Sequence, residues 1–202
     1  MLQPPNNAPD VAECLVAVGA NLPSPAGSVA ETVSVALGLL ADEFDESPVI
    51  SRLYVTPAFP AGSGPDYVNA ALRGMSSRPA QQLLAALHAI EARFGRTRQK
   101  RWESRVLDLD LLACGNMVLP DPTTLRSWMD MPLAQQQSHT PEQLLLPHPR
   151  MHQRGFVLVP LLDVAPDWRH PLLGRTVREM VRDLPAAERD DIRMLGQPPE
   201  IS

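Results

Sequence analysis

Apolar positions along the chain change rhythm several times, and each change marks an element. "ECLVAV" (13–18) is an unbroken apolar run ending at Gly19, which reads as a buried strand. Val29, Val33, Ala36, Leu37 and Leu40 then recur at helical spacing, placing one apolar stripe against a sheet. Ser24 and Pro25 form a plausible start for that helix, with proline at the first helical position. "SPVISRLYVT" (47–56) and "DYVNAALRG" (66–74) are β-branched or aromatic enough to be a second and a third strand. "PAFPAGSGP" (57–65) between them is a loop, too rich in Pro and Gly for regular structure. After Pro79, Leu83, Leu87, Ile90 and Phe94 mark the clearest helix in the chain, with Gly95 at its C-terminal cap.

"SRVLDLDLLAC" (104–114) alternates as a strand, so Val106, Asp108, Asp110 and Leu112 share one face. Leu107, Leu109 and Leu111 share the other. Residues 119–147 show no sustained period and are expected to be a long irregular insertion. "RGFVLVPLLDVAP" (154–166) fits a short helix or a strand, and "TVREMVRDL" (176–184) a helix. The expected organisation is one domain over 13–185, between a flexible tail at 1–12 and a frayed tail at 186–202. Three or four strands alternating with helices through short links predict an α+β sandwich, an antiparallel sheet with helices packed on it.

Composition narrows the function. A chain of 202 residues suits one domain, and a net charge of −5 argues against generic binding to nucleic acid or a membrane surface. Cys14 and Cys114 both sit in apolar runs without metal-ligand spacing; they read as buried thiols, with a disulfide left open. No apolar stretch is long enough to span a membrane, and "MLQPPNNAPD" lacks the pattern of a signal peptide. A cytoplasmic location is expected.

Against that acidic background, Arg93, Arg96, Arg98, Lys100, Arg101 and Arg105 crowd together with Glu103 alone opposing them. Charge runs are usually solvated loops. Here arginine outnumbers lysine five to one, and planar guanidinium forks suit phosphate oxygens. Trp102 adds a flat apolar face. Asp108 and Asp110 follow, about 6.5–7 Å apart at their backbones on one face. An amphipathic strand turned to solvent would show the same two letters. Leu112, however, continues the aspartate face, so the two like charges sit at a partly enclosed edge where a cation would relieve them. Magnesium needs only one or two carboxylates beside water and phosphate. No glycine-rich phosphate loop is present in the sequence. The pattern points to a polyphosphate substrate handled by arginines and metal.

These residues, with "PHPRMHQRGFVLVPL" (147–161), resemble the 6-hydroxymethyl-7,8-dihydropterin pyrophosphokinases of folate biosynthesis. "VGANL" (18–22), "YVTPAF" (54–59) and "PDYVNAAL" (65–72) follow in the family's order, and the likeness runs roughly from Leu15 to Arg178. The resemblance implies a ferredoxin-like fold and ATP-dependent diphosphate transfer to a pterin hydroxymethyl group. It implies two Mg2+ ions on Asp108 and Asp110, with Asp110 the candidate to take the hydroxyl proton. Arg96 and Arg105 match the family's transition-state arginines. Arg98 and Arg101 of the same loop, with His88, Glu91, Leu111, His148 and Arg154, match its ATP site. Thr56, Pro57, Tyr67, Asn69, Trp102 and Phe156 match its pterin slot. On the residues alone, His88 and Glu91 are equally a surface pair, and His148 a loop residue between prolines.

Two departures stand out. Glu103-Ser104 replaces the family's usual Gly-Pro, and Val106 often is Thr. The altered arginine loop leaves a non-catalytic pterin- or nucleotide-binding relative as the alternative. An RNA-binding module is disfavoured by 4% aromatic content and the negative charge. The expected partners are therefore ATP and the pterin, with no nucleic acid or membrane, and the expected state is a monomer.

Overall fold

A computed structural model describes residues 11–58, 64–95, 106–132, 135 and 139–196. Strand β1 (Ala12–Ala20) is an interior strand of a six-stranded sheet. It pairs antiparallel with β4 (Tyr67–Ser76) on one side and β5 (Asp108–Cys114) on the other. β3 (Leu53–Thr56) extends the sheet beyond β4, β6 (Arg193–Gly196) follows it, and β2 (Val49–Ile50) also pairs with β4. Taken without β2 and β6, the order is β5-β1-β4-β3, with one helix after β1 and another after β4. That is the β-α-β-β-α-β, ferredoxin-like arrangement.

Helices cover both faces. α1 (Val29–Ala41) and α2 (Ala80–Arg93) bury Val33, Leu37, Leu40, Leu83 and Leu87 against Val16, Val18, Leu72, Leu109 and Leu111. On the other face α4 (Gly155–Val164) and α5 (Val177–Arg182) bury Val157, Leu158, Leu161 and Met180 against Leu15, Ala71 and Leu112. Each of these buried Val, Leu and Met side chains is worth about 1.5–3 kcal/mol. A central strand covered on both faces cannot alternate, which explains the unbroken apolar run of β1.

The structure corrects four expectations. α1 starts at Val29, not near Ser24. Ser28 Oγ accepts from Glu31 N, and Glu31 Oε2 accepts from Ser28 N at 2.7 Å, a complete capping box; Ser24 instead closes a tight turn with Gly27. The 47–56 strand is split, because buried Ser51 breaks the ladder and its Oγ accepts from Ala71 N. The 119–147 insertion contains α3 (Pro122–Asp130), N-capped by Asp121, and is pinched at its base by Leu119–Leu146 backbone bonds. Finally, 186–202 is not all frayed tail, since β6 pairs with β3.

The path to β6 presses on the start of α4. A Cβ at Gly155 would lie 1.6 Å from the Glu188 carbonyl oxygen, so only glycine fits. Further along α4, Asp163 accepts from Arg52 N and Nε (3.1 and 3.0 Å), from Arg52 Nη2, and from Tyr54 OH (2.8 Å). Burial alone would raise the Asp163 carboxyl, but those donors outweigh it and hold the pKa below the usual value. α4 is thereby fixed to β3.

Candidate active site

The register of the sheet puts the candidate residues in rows on the face covered by α4. Gly19 of β1 stands opposite Asp108 on one side and Asn69 on the other, and Asn69 stands opposite Tyr54. Asp110 lies opposite Ala17. With two cross-strand steps of about 4.5–5.5 Å, Asn69 and Asp108 are about 10 Å apart at their backbones. Both aspartates are half-buried, and Leu112 continues their face into the α4 core, as the alternation predicts.

Asn69 is buried, and its Nδ2 donates to Thr56 Oγ1 at 2.8 Å. Tyr67, half-buried, lies opposite Thr56, and Pro57 is exposed just beyond β3. Gly19 leaves room for the amide: a Cβ there would meet Asn69 Oδ1 at 2.9 Å. Sequence reasoning gave Gly19 no role of its own; its place within "VGANL" was the available signal.

At the start of α4, Arg154 Nη1 lies 4.0 Å from Asp110 Oδ2, and its guanidinium stands over the Phe156 ring at 5.5 Å. Phe156 is 39% exposed, a flat apolar surface beside the Arg154 guanidinium. Asp108, Asp110, Asn69, Thr56, Tyr67, Arg154 and Phe156 are thus gathered on one side of the sheet.

The outer edge of β5 carries a second group. β5 has one extra residue against β1 between Leu111 and Ala113, a bulge at Leu112. The Leu112 carbonyl accepts from His148 N at 2.8 Å, and Leu109 N donates to Glu91 Oε1 at 2.9 Å. Glu91 is buried at 1% exposure, so it caps a strand-edge donor and is no surface partner. His88 lies half-buried nearly one turn earlier on α2, and the Leu111 side chain points into the α1–α2 core. His148 Nδ1 accepts from Arg150 N at 3.1 Å. Burial, then the Arg154 charge, push its imidazole down to about 3 against the pull of Asp108. The ring is neutral, with its proton on Nε2. Arg96, Arg98, Arg101, Trp102 and Arg105 lie outside the described residues, in the stretch joining Gly95 to Val106.

The donor set suits a hard cation. Two carboxylates on one strand face leave coordination positions for water and phosphate oxygens, as magnesium prefers. Among the described residues no cluster of three or more His, Cys, Asp or Glu side chains is arranged to hold a metal. A cleft of about 350 Å³ lined by Glu13, Arg73, Asp163 and Trp168 lies at the other end of the strands and holds none of this chemistry.

Three histidines give the fold an acid-sensitive edge. Burial first, then neighbouring charge, lowers His148 to about 3, His170 to about 4, and also His152, from a usual 6.5. His148 and His170 each use Nδ1 as an acceptor, which protonation would remove. Because the folded values are depressed, the unfolded chain binds these protons first. Stability should be full above pH 6.5 and fall as pH drops toward the folded values. Denaturant unfolding at several pH values in that window checks this; flat stability there would mean the imidazoles are not held neutral.

The family profile described as 7,8-dihydro-6-hydroxymethylpterin-pyrophosphokinase (HPPK) matches residues 15–166. The 2-amino-4-hydroxy-6-hydroxymethyldihydropteridine pyrophosphokinase of Pseudomonas aeruginosa is 34% identical over 175 residues, covering 84% of this chain and 90% of that protein. Its Haemophilus influenzae namesake is 32% identical over 153 residues, 75% of this chain and 81% of that one. The Synechocystis namesake is 36% identical over 120 residues, and the match spans only 51% of its length. A crystal structure of Plasmodium falciparum HPPK-DHPS superposes with a TM-score of 0.62 at 12% identity, covering 94% of this chain and 47% of that one. At that identity the likeness is one of fold. With a profile match across most of its length and relatives above 30% identity over three quarters or more of both chains, the chain belongs to the 7,8-dihydro-6-hydroxymethylpterin-pyrophosphokinase family.

Proposed function

We propose that this chain transfers diphosphate from ATP to the hydroxymethyl group of 6-hydroxymethyl-7,8-dihydropterin, releasing AMP, as a step of folate biosynthesis. The observation that carries the reading is the single face on which Asp108 and Asp110 lie two strands from the Asn69–Thr56 pair. One end of that face suits a charged polyphosphate and the other a flat, hydrogen-bonding ring.

Asn69 and Thr56 read the amide edge of the pterin, and Phe156 with Trp102 encloses its ring. Tyr67 and Pro57 border the slot. Asp108 and Asp110 hold magnesium, which when bound supplies charge neutralisation on the phosphate oxygens. Arg154 adds fixed positive charge beside Asp110, and Arg96, Arg98, Arg101 and Arg105 supply more from the neighbouring stretch. His148, His88, Glu91 and Leu111 border the nucleotide along the outer edge of β5. The pterin hydroxyl oxygen bonds to the β-phosphorus of ATP, the bond from that phosphorus to the α-phosphate oxygen breaks, and AMP leaves. Asp110 receives the hydroxyl proton. The same reading has a monomeric, cytoplasmic enzyme with these two small molecules as its substrates.

Phosphorus NMR of the protein with ATP, magnesium and hydroxymethyl-dihydropterin tests it. AMP and a pterin diphosphate should appear together, and only when the pterin is present. ATP left intact would sink the proposal in favour of a binding-only relative; ADP with phosphate would point to a different transfer.

A further inference from the structure

Cys14 and Cys114 take no part in the chemistry above, yet they are placed with unusual closeness. They are direct cross-strand partners, Cys14 on β1 and Cys114 on β5. Both are 1% exposed and both face the α1–α2 core. Their sulfur atoms stand 2.6 Å apart. Directly opposed antiparallel residues have Cα atoms about 4.5–5.5 Å apart, inside the range of about 4.4–6.8 Å that a disulfide spans. The chain holds no other cysteine, so each thiol has one possible intramolecular partner.

We propose that Cys14 and Cys114 form a reversible cross-strand disulfide, a redox modification site that staples the terminal strand β5 to its interior neighbour β1. A small-molecule disulfide such as oxidised glutathione is the reactant class. One protein thiolate attacks a sulfur of that disulfide, leaving a mixed disulfide and releasing one glutathione thiolate. The second protein thiolate then attacks the protein sulfur of the mixed disulfide, forming the Cys14–Cys114 bond and releasing the second glutathione. The protein loses two electrons, glutathione disulfide gains them, and the two thiol protons end on the released glutathiones.

Access sets the rate. Cys14 and burial both push the Cys114 thiol up, so little thiolate exists while the sheet is closed. The closed core also has no room for a mixed disulfide. Exchange therefore proceeds when β5 parts from β1, which a terminal strand does more readily than a central one. The staple lies six residues from Asp108 along β5, about 20 Å. It acts on the anchoring of the strand and leaves the aspartate end unaltered.

The test equilibrates the full chain in a glutathione couple under mildly denaturing conditions, then alkylates the unfolded protein and weighs it. The expected product is monomeric, lighter than the reduced chain by two hydrogens, and carries no alkyl group; dithiothreitol restores two alkylatable thiols. Returned to native buffer, it should melt roughly 5–15 °C above the reduced form. Cys114→Ser, treated alike, should retain one alkylatable thiol or one glutathione adduct, and should show no redox-dependent shift in melting. Two free thiols at equilibrium in an oxidising couple would overturn the proposal. So would a glutathione on each cysteine, a disulfide-linked dimer, or an oxidised monomer that melts no higher than the reduced one.

Discussion

Asp108→Asn and Asp110→Asn should each lower magnesium-dependent turnover at least ~10³-fold, about 4 kcal/mol of transition-state stabilisation, without destabilising the fold. The two halves of that expectation rest on different observations. In the proposed reaction, activity depends on negative oxygen donors that can bring a divalent cation to the phosphates, and an amide is a poor substitute. Stability is expected to depend much less on these charges than activity does. Both side chains reach solvent, and the 4.0 Å contact of Asp110 with Arg154 is worth roughly 0–1 kcal/mol. Removing one of two like charges on the same strand face offsets that small loss. The measurement is steady-state turnover across a magnesium titration, beside denaturant unfolding of the same proteins. Near-normal turnover in both variants at ordinary magnesium would end the assignment of the metal to this face. A large fall in stability would assign the aspartates to the scaffold instead.

What was legible in the sequence follows from how each element is stabilised. β5 was readable because one of its faces is continuously apolar and the other carries charge, so the period of two is visible in single letters. α2 was readable because its leucines face one core and its other side faces solvent. The start of α1 was not. Ser24-Pro25 and the Ser28–Glu31 box both satisfy helix-start chemistry, and the choice is made by the turn that Ser24 closes with Gly27. β6 left no signal: it is four residues long, with Met194 and Leu195 both exposed, and exists because the edge of β3 was free to pair. The 154–166 run is apolar on nearly every position, so periodicity could not choose helix over strand; burial between β4 and α5 did. At the site, the aspartate face was derivable from alternation alone, while Asn69 and Thr56 came only through resemblance. Their neighbourhood is a matter of register between three strands, which no local pattern encodes. The Arg52–Asp163 pairing that fixes α4 joins residues 111 apart and was out of reach for the same reason.

Gly19→Ala should raise the KM for the pterin about 10- to 100-fold, roughly 1.4–2.7 kcal/mol, while the KM for ATP and the magnesium dependence stay near those of the parent. Gly19 lies between Asp108 and Asn69 in the row that crosses the site. A methyl group there would stand 2.9 Å from Asn69 Oδ1, closer than such atoms approach, so the amide must move. Asn69 has little freedom to do so, because it is 4% exposed and its Nδ2 is bonded to Thr56. Rotating it away gives up that bond and the orientation in which it would meet the ring. The backbone itself should tolerate alanine, since Gly19 sits within a paired strand, and the entropy gained relative to glycine helps the fold by about 0.5–1 kcal/mol. The change is therefore expected in recognition, with unfolding nearly unaltered. Asn69→Ala separates this from general crowding of the site. With the amide absent, adding Gly19→Ala should change pterin KM little, so the two substitutions should be strongly non-additive. If their effects simply add, or if Gly19→Ala binds pterin as the parent does, Asn69 is not the group that reads the ring.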